Sequence, residues 1–224
     1  MKKILLMMTF VVCASHSVWA DPACPVIEQS LAIYLGTTFT CGDLTFTFSS
    51  GAYTSSGSTP IPAADVFVTS ETVGSETGLE FNAPWGQPSG AGDPSTDSFI
   101  TFTAACNSGC DISDLTLNLG GASASPDGGL VLVSETAPPD ISLQAGSGGG
   151  TTILSDSTLI APTSSITVSK DILVIGGTGG IGSQVSNVQN LFSTNTSTVP
   201  EPSLLFLCTG LLALVPVARR RFGI

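Results

Sequence analysis

Three glycines, Gly177, Gly179 and Gly182, have the spacing of the loop that binds the phosphates of a dinucleotide. The complete site also needs a helix after this loop, further strand–helix units and an acid about 20 residues downstream. Here the upstream chain is rich in strand-forming residues, and the acid at that distance is Glu201, which belongs to a separate proline motif. We therefore predict no nicotinamide cofactor, and we interpret the glycines as the turn of a hairpin between residues 166–175 and a polar last strand.

Two pairs of aspartates, Asp93 with Asp97 and Asp111 with Asp114, are the other residues whose spacing permits chemistry. Paired carboxylates hydrolyse glycosidic bonds, and clustered carboxylates bind calcium. Neither pair matches a calcium loop, and aspartates in turns usually cap backbone amides. We therefore predict no catalytic residue and no metal site, and we keep a glycosidase that uses Asp97 and Asp114 as the weakest alternative.

Basic residues are nearly absent between residues 21 and 198, where Lys170 is the sole Lys or Arg. The one histidine, His16, lies in the N-terminal segment. Without histidine, Ser-His-Asp and Cys-His catalysis and histidine-ligated metal sites are excluded from the body. The chain has 17 Asp and Glu against 6 Lys and Arg, a formal net charge of −11, which repels nucleic acid and anionic lipid. These absences predict a protein that is not an enzyme and has no nucleic-acid partner.

The N-terminal segment has the three parts of a secretory signal peptide. Lys2 and Lys3 form its basic start, residues 4–14 are apolar, and Ala20 is a small residue at the expected cleavage position. The apolar part is shorter than the about 20 residues that a membrane anchor needs. We therefore predict that signal peptidase removes residues 1–20.

The C-terminal segment resembles a membrane span followed by a cytoplasmic anchor. Residues 203–218 are uncharged and mostly apolar, and Arg219, Arg220 and Arg221 follow at once. By the positive-inside rule, the arginines stay in the cytoplasm and the preceding chain lies outside. We therefore predict a single transmembrane helix, near the short limit of such helices, that holds the protein transiently in the inner membrane.

The motif Val199-Pro200-Glu201-Pro202, followed by the apolar span and the arginines, resembles the PEP-CTERM sorting signal. The resemblance implies that the membrane protease-transpeptidase exosortase processes the chain at or near this motif. It also implies a Gram-negative bacterium that makes extracellular polysaccharide, and a final location at the cell surface or outside the cell. The resemblance covers residues 199–224 and says nothing of the body.

Four cysteines, Cys24, Cys41, Cys106 and Cys110, lie in the predicted exported body. Export favours disulfides, and four cysteines allow three pairings. We favour Cys24–Cys41 and Cys106–Cys110, the second of which would close a turn of Asn, Ser and Gly. The alternative is a zinc site of four thiolates, although only Cys106 and Cys110 have ligand-like spacing.

Alternation with a period of two residues predicts that the body is all-β. Leu44, Phe46 and Phe48 share one face of a predicted strand whose other face carries threonines. Further predicted strands are Leu115, Leu117 and Leu119 with their polar neighbours, and residues 64–70, 78–82, 98–104, 130–134, 166–168 and 171–175. Clusters of Gly, Pro, Ser and Asp separate these strands, which is typical of an antiparallel β-sandwich, either a jelly roll or an immunoglobulin-like fold. We predict one domain over residues 21–193 and a Ser/Thr spacer over residues 194–198.

The functional hypothesis is a non-catalytic protein of the cell surface or the extracellular polysaccharide matrix. The alternative is a carbohydrate-binding module, for which Trp85 in the stretch FNAPWGQPSG is the possible glycan contact. We favour the interpretation that Trp85 fills one end of the sandwich, because large aromatic side chains are usually mostly buried. An ice-binding protein is a further alternative, because the triplet Thr-Phe-Thr occurs at residues 38–40, 45–47 and 101–103. Such a face needs regularly spaced threonines, and this regularity is absent from the linear sequence.

Overall fold

The computed structural model describes residues 22–90, 94–107 and 109–196. The predicted signal peptide, the predicted sorting signal and Asp93 lie outside these residues. Among the described residues, no helix has the length and apolar character needed to cross a membrane.

The described chain consists almost entirely of strands, with one helix of a single turn, α1 (Leu31–Tyr34), and one 3-10 turn (Ala63–Asp65). The strands are β1 (Gln29–Ser30), β2 (Thr38–Cys41), β3 (Leu44–Thr47), β4 (Tyr53–Gly57), β5 (Phe67–Val73), β6 (Glu76–Gln87), β7 (Ser95–Cys106), β8 (Cys110–Gly120), β9 (Leu130–Ala137), β10 (Ile141–Gly148), β11 (Thr151–Ile153), β12 (Ser155–Thr163), β13 (Ser165–Ile175) and β14 (Ser183–Thr196).

The strands form two antiparallel sheets. The six-stranded sheet has the order β1-β5-β6-β14-β8-β12, and the eight-stranded sheet has the order β11-β10-β9-β13-β7-β3-β2, with β4 also paired to β7. The predicted all-β, sandwich-like antiparallel architecture is therefore confirmed. The finer choice between a jelly roll and an immunoglobulin-like fold stays a prediction.

The core lies between the two sheets and is built largely from alternate residues of long strands such as β6, β7, β8 and β13. Phe46, Phe48 and Phe102 of the eight-stranded side meet Phe81 and Phe192 of the six-stranded sheet, with ring centroids 5.8–6.4 Å apart. Each fully buried apolar side chain of this size contributes about 1.5–3 kcal/mol to stability. The alternating leucines and phenylalanines of β3 and β8 face this core, as the sequence pattern predicts.

The glycine-rich segment between β13 and β14 is not the turn of a hairpin, so this prediction is wrong. β13 lies in the eight-stranded sheet and β14 in the six-stranded sheet, and the segment carries the chain from one sheet to the other. A Cβ added to Gly176 would lie 2.0 Å from the backbone oxygen of Pro88. The glycines therefore permit close passage over the end of β6 and the segment after it. A strand, β14, begins where a dinucleotide-binding fold requires a helix.

The last strand also extends further than the predicted body. Thr194 and Asn195 pair with Ile112 and Asp111 of β8, and the strand ends at Thr196. Three of the five residues of the predicted spacer 194–198 therefore lie in β14.

Both predicted disulfides are confirmed. Cys24 bonds to Cys41 and ties the N-terminal segment to β2, with the Cα atoms 5.2 Å apart. Cys106 bonds to Cys110 and closes the turn through which the chain passes from β7 to β8, with the Cα atoms 5.6 Å apart. This pairing leaves no thiolate of the four for the alternative zinc site.

Candidate functional site

Trp85 lies in β6 rather than in a loop, and its side chain is completely buried among the core residues. An indole in this position fills space between the sheets and offers no free face to a sugar. This burial confirms the favoured interpretation of Trp85 as a space-filling side chain, and it corrects the alternative assignment of Trp85 as a glycan contact. The error arose because the neighbouring Pro84 and Gly86 indicate a loop, whereas both residues lie within the strand.

Asp97 and Asp114 do not form the carboxylate pair that a glycosidase would need. Asp97 is on the outer face of β7 in the eight-stranded sheet, whereas Asp114 is in β8 of the six-stranded sheet. The Oδ1 atom of Asp114 accepts a hydrogen bond of 2.8 Å from the backbone N–H of Ser193, at an irregular position in the β8–β14 pairing. Asp114 thus satisfies a backbone donor, which is the ordinary role of such an aspartate.

Asp97 instead meets Asp171, which the sequence interpretation did not identify. The pairing of β7 with β13 brings the two outward carboxyl groups together as diagonal neighbours. Partial burial, a hydrogen bond with Asp97 and repulsion by its charge raise the pKa of Asp171 to about 6. The two carboxyls of a retaining glycosidase lie about 5–5.5 Å apart around the sugar. Contact between Asp97 and Asp171 leaves no such gap for a sugar, so their arrangement does not match that of a retaining glycosidase.

The outer face of the six-stranded sheet carries a cluster of amide and carboxylate side chains, which we call the amide platform. Its members lie on three neighbouring strands, β6, β14 and β8, and are Glu80, Asn82, Asn118, Asn187 and Gln189. Gln189 lies between Glu80 and Asn118 in the strand register, and Asn187 lies opposite Asn82. All five residues are half-buried on the outer face of the sheet.

Glu80 organises this platform through hydrogen bonds. Its Oε1 accepts a bond of 2.7 Å from Asn82 Nδ2. Its Oε2 accepts bonds from Gln189 Nε2 and, at 3.5 Å, from Asn187 Nδ2. These bonds hold the three amide groups in fixed orientations, while their carbonyl oxygens accept none of them. The platform therefore presents preoriented acceptors together with amide N–H donors.

Two neighbours complete the shape of the platform. Phe67 of β5 lies opposite Asn82 in the register, and 40% of its surface is exposed. A Cβ added to Gly120 would lie 2.2 Å from Oδ1 of Asn187, so the glycine allows the Asn187 side chain to lie flat across β8. The result is an exposed apolar ring at the edge of a polar surface.

The outer face of the eight-stranded sheet carries rows of hydroxyl groups, which we call the threonine array. The first row crosses four strands through directly paired residues, Thr38, Thr47, Thr103 and Thr167. Thr38 and Thr47 share a hydrogen bond of 3.0 Å between their hydroxyl groups. Thr103 and Thr167 share one of 2.9 Å. Each row therefore has the strand-to-strand spacing of the sheet, about 4.7–4.9 Å.

A second row lies beside the first and consists of Thr101, Ser169, Thr136 and Ser142. The three Thr-Phe-Thr triplets, irregular along the chain, are thus placed side by side on one face. The expectation that the threonines lack regular spacing is corrected. Register between strands creates the regularity, and register is not visible in the linear sequence.

A cleft of about 520 Å³ lies at one end of the sandwich, between the β9–β10 turn and β12. Its wall includes Pro138, Pro139, Leu159 and Pro162, and no aromatic side chain of the described residues lines it. It lacks a flat ring on which a sugar could stack, so the two sheet faces are better candidates.

No protein-family model matches the chain, and no curated protein sequence matches it. Three solved structures are similar in part. One is TmCBM61 in complex with beta-1,4-galactotriose, with 10% sequence identity and a TM-score of 0.26. The match covers 64% of this chain and 86% of the TmCBM61 chain. The enzymatically active domain of bacteriophage CBA120 tailspike protein 4 has 12% identity and a TM-score of 0.23 over 65% of this chain and 19% of its own.

The third structure is the exo-beta-1,3-galactanase from Phanerochaete chrysosporium with galactose. It has 13% identity and a TM-score of 0.23 over 58% of this chain and 32% of its own. At such scores the likeness carries no argument about function for this chain. The functional conclusion therefore depends on the residues of the chain itself.

Proposed function

We propose that this chain is an exported, non-catalytic protein of the cell surface or extracellular polysaccharide matrix, and that its body binds polysaccharide through the amide platform. The observation that carries the binding proposal is the set of amides oriented by Glu80 beside the exposed ring of Phe67. The two disulfides support export, because disulfides persist in oxidising compartments.

The chemistry of a sugar matches this surface. Each sugar hydroxyl is both a donor and an acceptor, and the side-chain amides offer both groups in one plane. The C–H face of a pyranose ring packs on an aromatic ring, which Phe67 provides at the edge of the amide platform. Amides that are already oriented lose less conformational entropy when they bind a ligand.

Charge restricts the class of polysaccharide. Among the described residues Lys170 is the sole Lys or Arg, and it is buried. The surface of these residues therefore has no cationic side chain to attract uronic acids, sulfates or phosphates, while its carboxylates repel them. We propose an uncharged polysaccharide as the ligand.

The test is affinity electrophoresis of the full chain in gels that contain neutral or acidic polysaccharides. We expect at least one neutral polysaccharide to retard the protein, and the acidic ones not to. Gln189→Ala and Phe67→Ala should each weaken binding by about tenfold, which corresponds to ~1.4 kcal/mol. Thr54→Ala, an exposed position on β4 in the opposite, eight-stranded sheet, is the matched control and should bind as the parent does.

Two results would contradict the binding proposal. One is the absence of retardation by every neutral polysaccharide. The other is equal retardation of the parent, Gln189→Ala and Phe67→Ala chains, which would place the ligand elsewhere on the molecule.

The sorting proposal is separate and depends on the resemblance of residues 199–224 to the PEP-CTERM signal. Signal peptidase and exosortase are the proposed processing partners. The predicted orientation of the C-terminal span places the body outside the inner membrane, where disulfides and extracellular polysaccharide are both found. The binding proposal and the sorting proposal are independent, so evidence against one does not contradict the other.

The threonine array favours ice binding as a second candidate function. Rows of hydroxyls at regular spacing can hold ordered water, and two neighbouring rows are present. The right-handed twist of sheets opposes a flat face, so this candidate ranks below polysaccharide binding. Inhibition of ice recrystallisation by the parent and its loss in Thr103→Lys would support ice binding, and no inhibition by the parent would exclude it.

A further inference from the structure

Three polar side chains lie inside the core, between the two sheets, where apolar residues are expected. They are Lys170 of β13, Glu135 of β9 and Asn190 of β14, and each is 0% exposed. Lys170 and Glu135 are directly paired on neighbouring strands of the eight-stranded sheet, whereas Asn190 projects from the six-stranded sheet. The buried triad therefore bridges the two halves of the sandwich.

The amine and the carboxamide of the buried triad converge on the same carboxylate. Lys170 Nζ donates a hydrogen bond to Oε2 of Glu135. Asn190 Nδ2 contacts the same Oε2 at 2.8 Å and Oε1 at 2.7 Å. Since both groups contact one oxygen atom, the amine of Lys170 and the carboxamide of Asn190 are neighbours in the core.

Stability alone does not explain the buried triad. Replacing a buried ion pair with packed apolar residues is often neutral or stabilising. The Oδ1 atom of Asn190 has no hydrogen-bond partner among the described residues, and a buried unsatisfied acceptor costs about 1–3 kcal/mol. The single Lys of the body thus occupies a place where its charge is most costly.

The same burial makes the amine of Lys170 reactive. Desolvation lowers the pKa of Lys170, although the neighbouring charge of Glu135 opposes this shift. Without water, transfer of a proton from the ammonium group to the carboxylate removes two buried charges at once. The product is a neutral amine, which is a nucleophile, beside a carboxylic acid, which is a proton donor.

We propose that Lys170 and Asn190 form an intramolecular isopeptide bond inside the sandwich, with Glu135 as the group that transfers the protons. The bond would join β13 to β14, and therefore one sheet to the other. It is a covalent modification of the fold and does not depend on polysaccharide binding.

The reaction is balanced without a cofactor. The lone pair of Lys170 Nζ attacks Cγ of Asn190, and the carbonyl oxygen takes up the negative charge. The Glu135 acid donates its proton to the departing nitrogen, the Cγ–Nδ2 bond breaks, and the carboxylate accepts a proton from Nζ. One amine and one carboxamide become one secondary amide and one ammonia molecule, and nothing is oxidised or reduced.

The geometry and the environment both favour this step. Holding the reactants together supplies an effective concentration of about 10⁵–10⁸ M when the alignment is good. The nitrogen and oxygen of a side-chain amide can exchange places by a flip, so the Glu135 acid can also stabilise the developing charge on oxygen. Loss of ammonia and replacement of a buried ion pair by a neutral amide draw the reaction to completion.

Trypsin provides a sharp test, because Lys170 is the sole Lys or Arg between Lys3 and Arg219. We would reduce and denature the full chain, digest it with trypsin and measure fragment masses. An acylated Lys170 is not a trypsin site, so a cross-linked chain stays whole across Lys170–Asp171. Its mass should be lower than the sequence mass by one ammonia molecule. Digestion with a protease that cuts at acidic residues should then yield a branched peptide containing Lys170 and Asn190.

Two variants control the experiment. Asn190→Ala lacks the carboxamide that Lys170 would attack, so no isopeptide bond can form. Its denatured chain therefore shows how fast trypsin cuts an unmodified Lys170. Glu135→Gln keeps the shape of the side chain but removes the proton donor. We expect trypsin to cut this variant at Lys170, and its mass should be that of the unmodified sequence. Glu80→Gln, which removes a carboxylate from the exposed amide platform, should remain cross-linked.

The parent chain alone can overturn the proposal, even if the variants fold poorly. Cleavage at Lys170 with the unmodified sequence mass would show that no bond forms. A loss of one water molecule, with a branch between Lys170 and Glu135, would show that the amine reacts with the carboxyl group instead. Either outcome contradicts the assignment to Asn190.

Discussion

Glu80 and Glu135 show how the same side chain serves two different purposes. On the outer face, Glu80 accepts from three amide groups and stays in reach of solvent, so it orients a surface for a ligand. In the core, Glu135 contacts one amine and one amide without access to water, which is the arrangement on which the proposed proton transfer depends. Burial, rather than residue type, separates these roles.

The Asp97–Asp171 pair leads to a prediction about pH at the residue scale. The pKa of Asp171 is about 6 in the folded protein against an ordinary value of 3.8, so the folded state binds this proton more tightly. The resulting stability is fully present below about pH 4 and is lost as the pH rises through about 6. Asp171→Asn should therefore raise the melting temperature near neutral pH and flatten its dependence on pH between about 4 and 7.

The measurement is thermal unfolding followed by circular dichroism across this pH range. Asp140→Asn, at an exposed turn position, is the control and should leave the shape of the curve unchanged. If the parent and Asp171→Asn curves are parallel, the pKa of Asp171 is not raised in the folded protein.

At the scale of elements, the segments that pass between the sheets decide the architecture. The β7–β8 turn is closed by Cys106–Cys110, and the β13–β14 segment is packed through glycine. Both carry the chain from the eight-stranded to the six-stranded sheet. The glycine pattern that resembles a phosphate-binding loop therefore has a packing explanation.

This explanation predicts the effect of a single methyl group. Gly176→Ala would place its Cβ 2.0 Å from the backbone oxygen of Pro88, which cannot move without distorting the end of β6. We expect a loss of about 1–3 kcal/mol in the free energy of unfolding, measured with denaturant. Gly51→Ala is the matched control, because nothing lies within 4 Å of its added Cβ, and it should be nearly neutral. Equal stabilities of the two variants would contradict the close passage.

At the scale of the whole molecule, the sandwich presents two different faces, one with amides and a ring, the other with rows of hydroxyls. The proposed isopeptide bond and the Cys106–Cys110 disulfide would each connect strands of the two sheets covalently. A body connected in this way would resist pulling and unfolding outside the cell, where a matrix protein has to function.

Export and processing are tested by the intact mass of the protein recovered from the cell surface and medium. We expect the loss of residues 1–20, the loss of the tail at or near the motif that contains Glu201, and the hydrogen loss of two disulfides. An intact tail would indicate an ordinary membrane anchor and would remove the main support for sorting by exosortase.

The linear sequence was sufficient for the local features of the body. Leu44, Phe46 and Phe48 indicate a half-buried strand because alternation is a property of neighbouring residues. The pairing of Cys106 with Cys110 was accessible because a five-residue turn brings both residues together. The burial of Trp85 was predicted correctly, but its placement in a loop was wrong, because the proline and glycine beside it indicate a loop when no neighbouring strand is known.

By itself, the sequence determined the all-β class and the acidic charge, because these depend on composition and on neighbouring residues, and it favoured the two disulfides that the structure confirms. Only the tertiary structure decided which distant residues meet. The rows of the threonine array, the Asp97–Asp171 pair and the buried triad of Lys170, Glu135 and Asn190 all come from separate strands. Their contacts depend on strand order, register and the face that each strand turns to the core, and long-range packing of the two sheets sets all three.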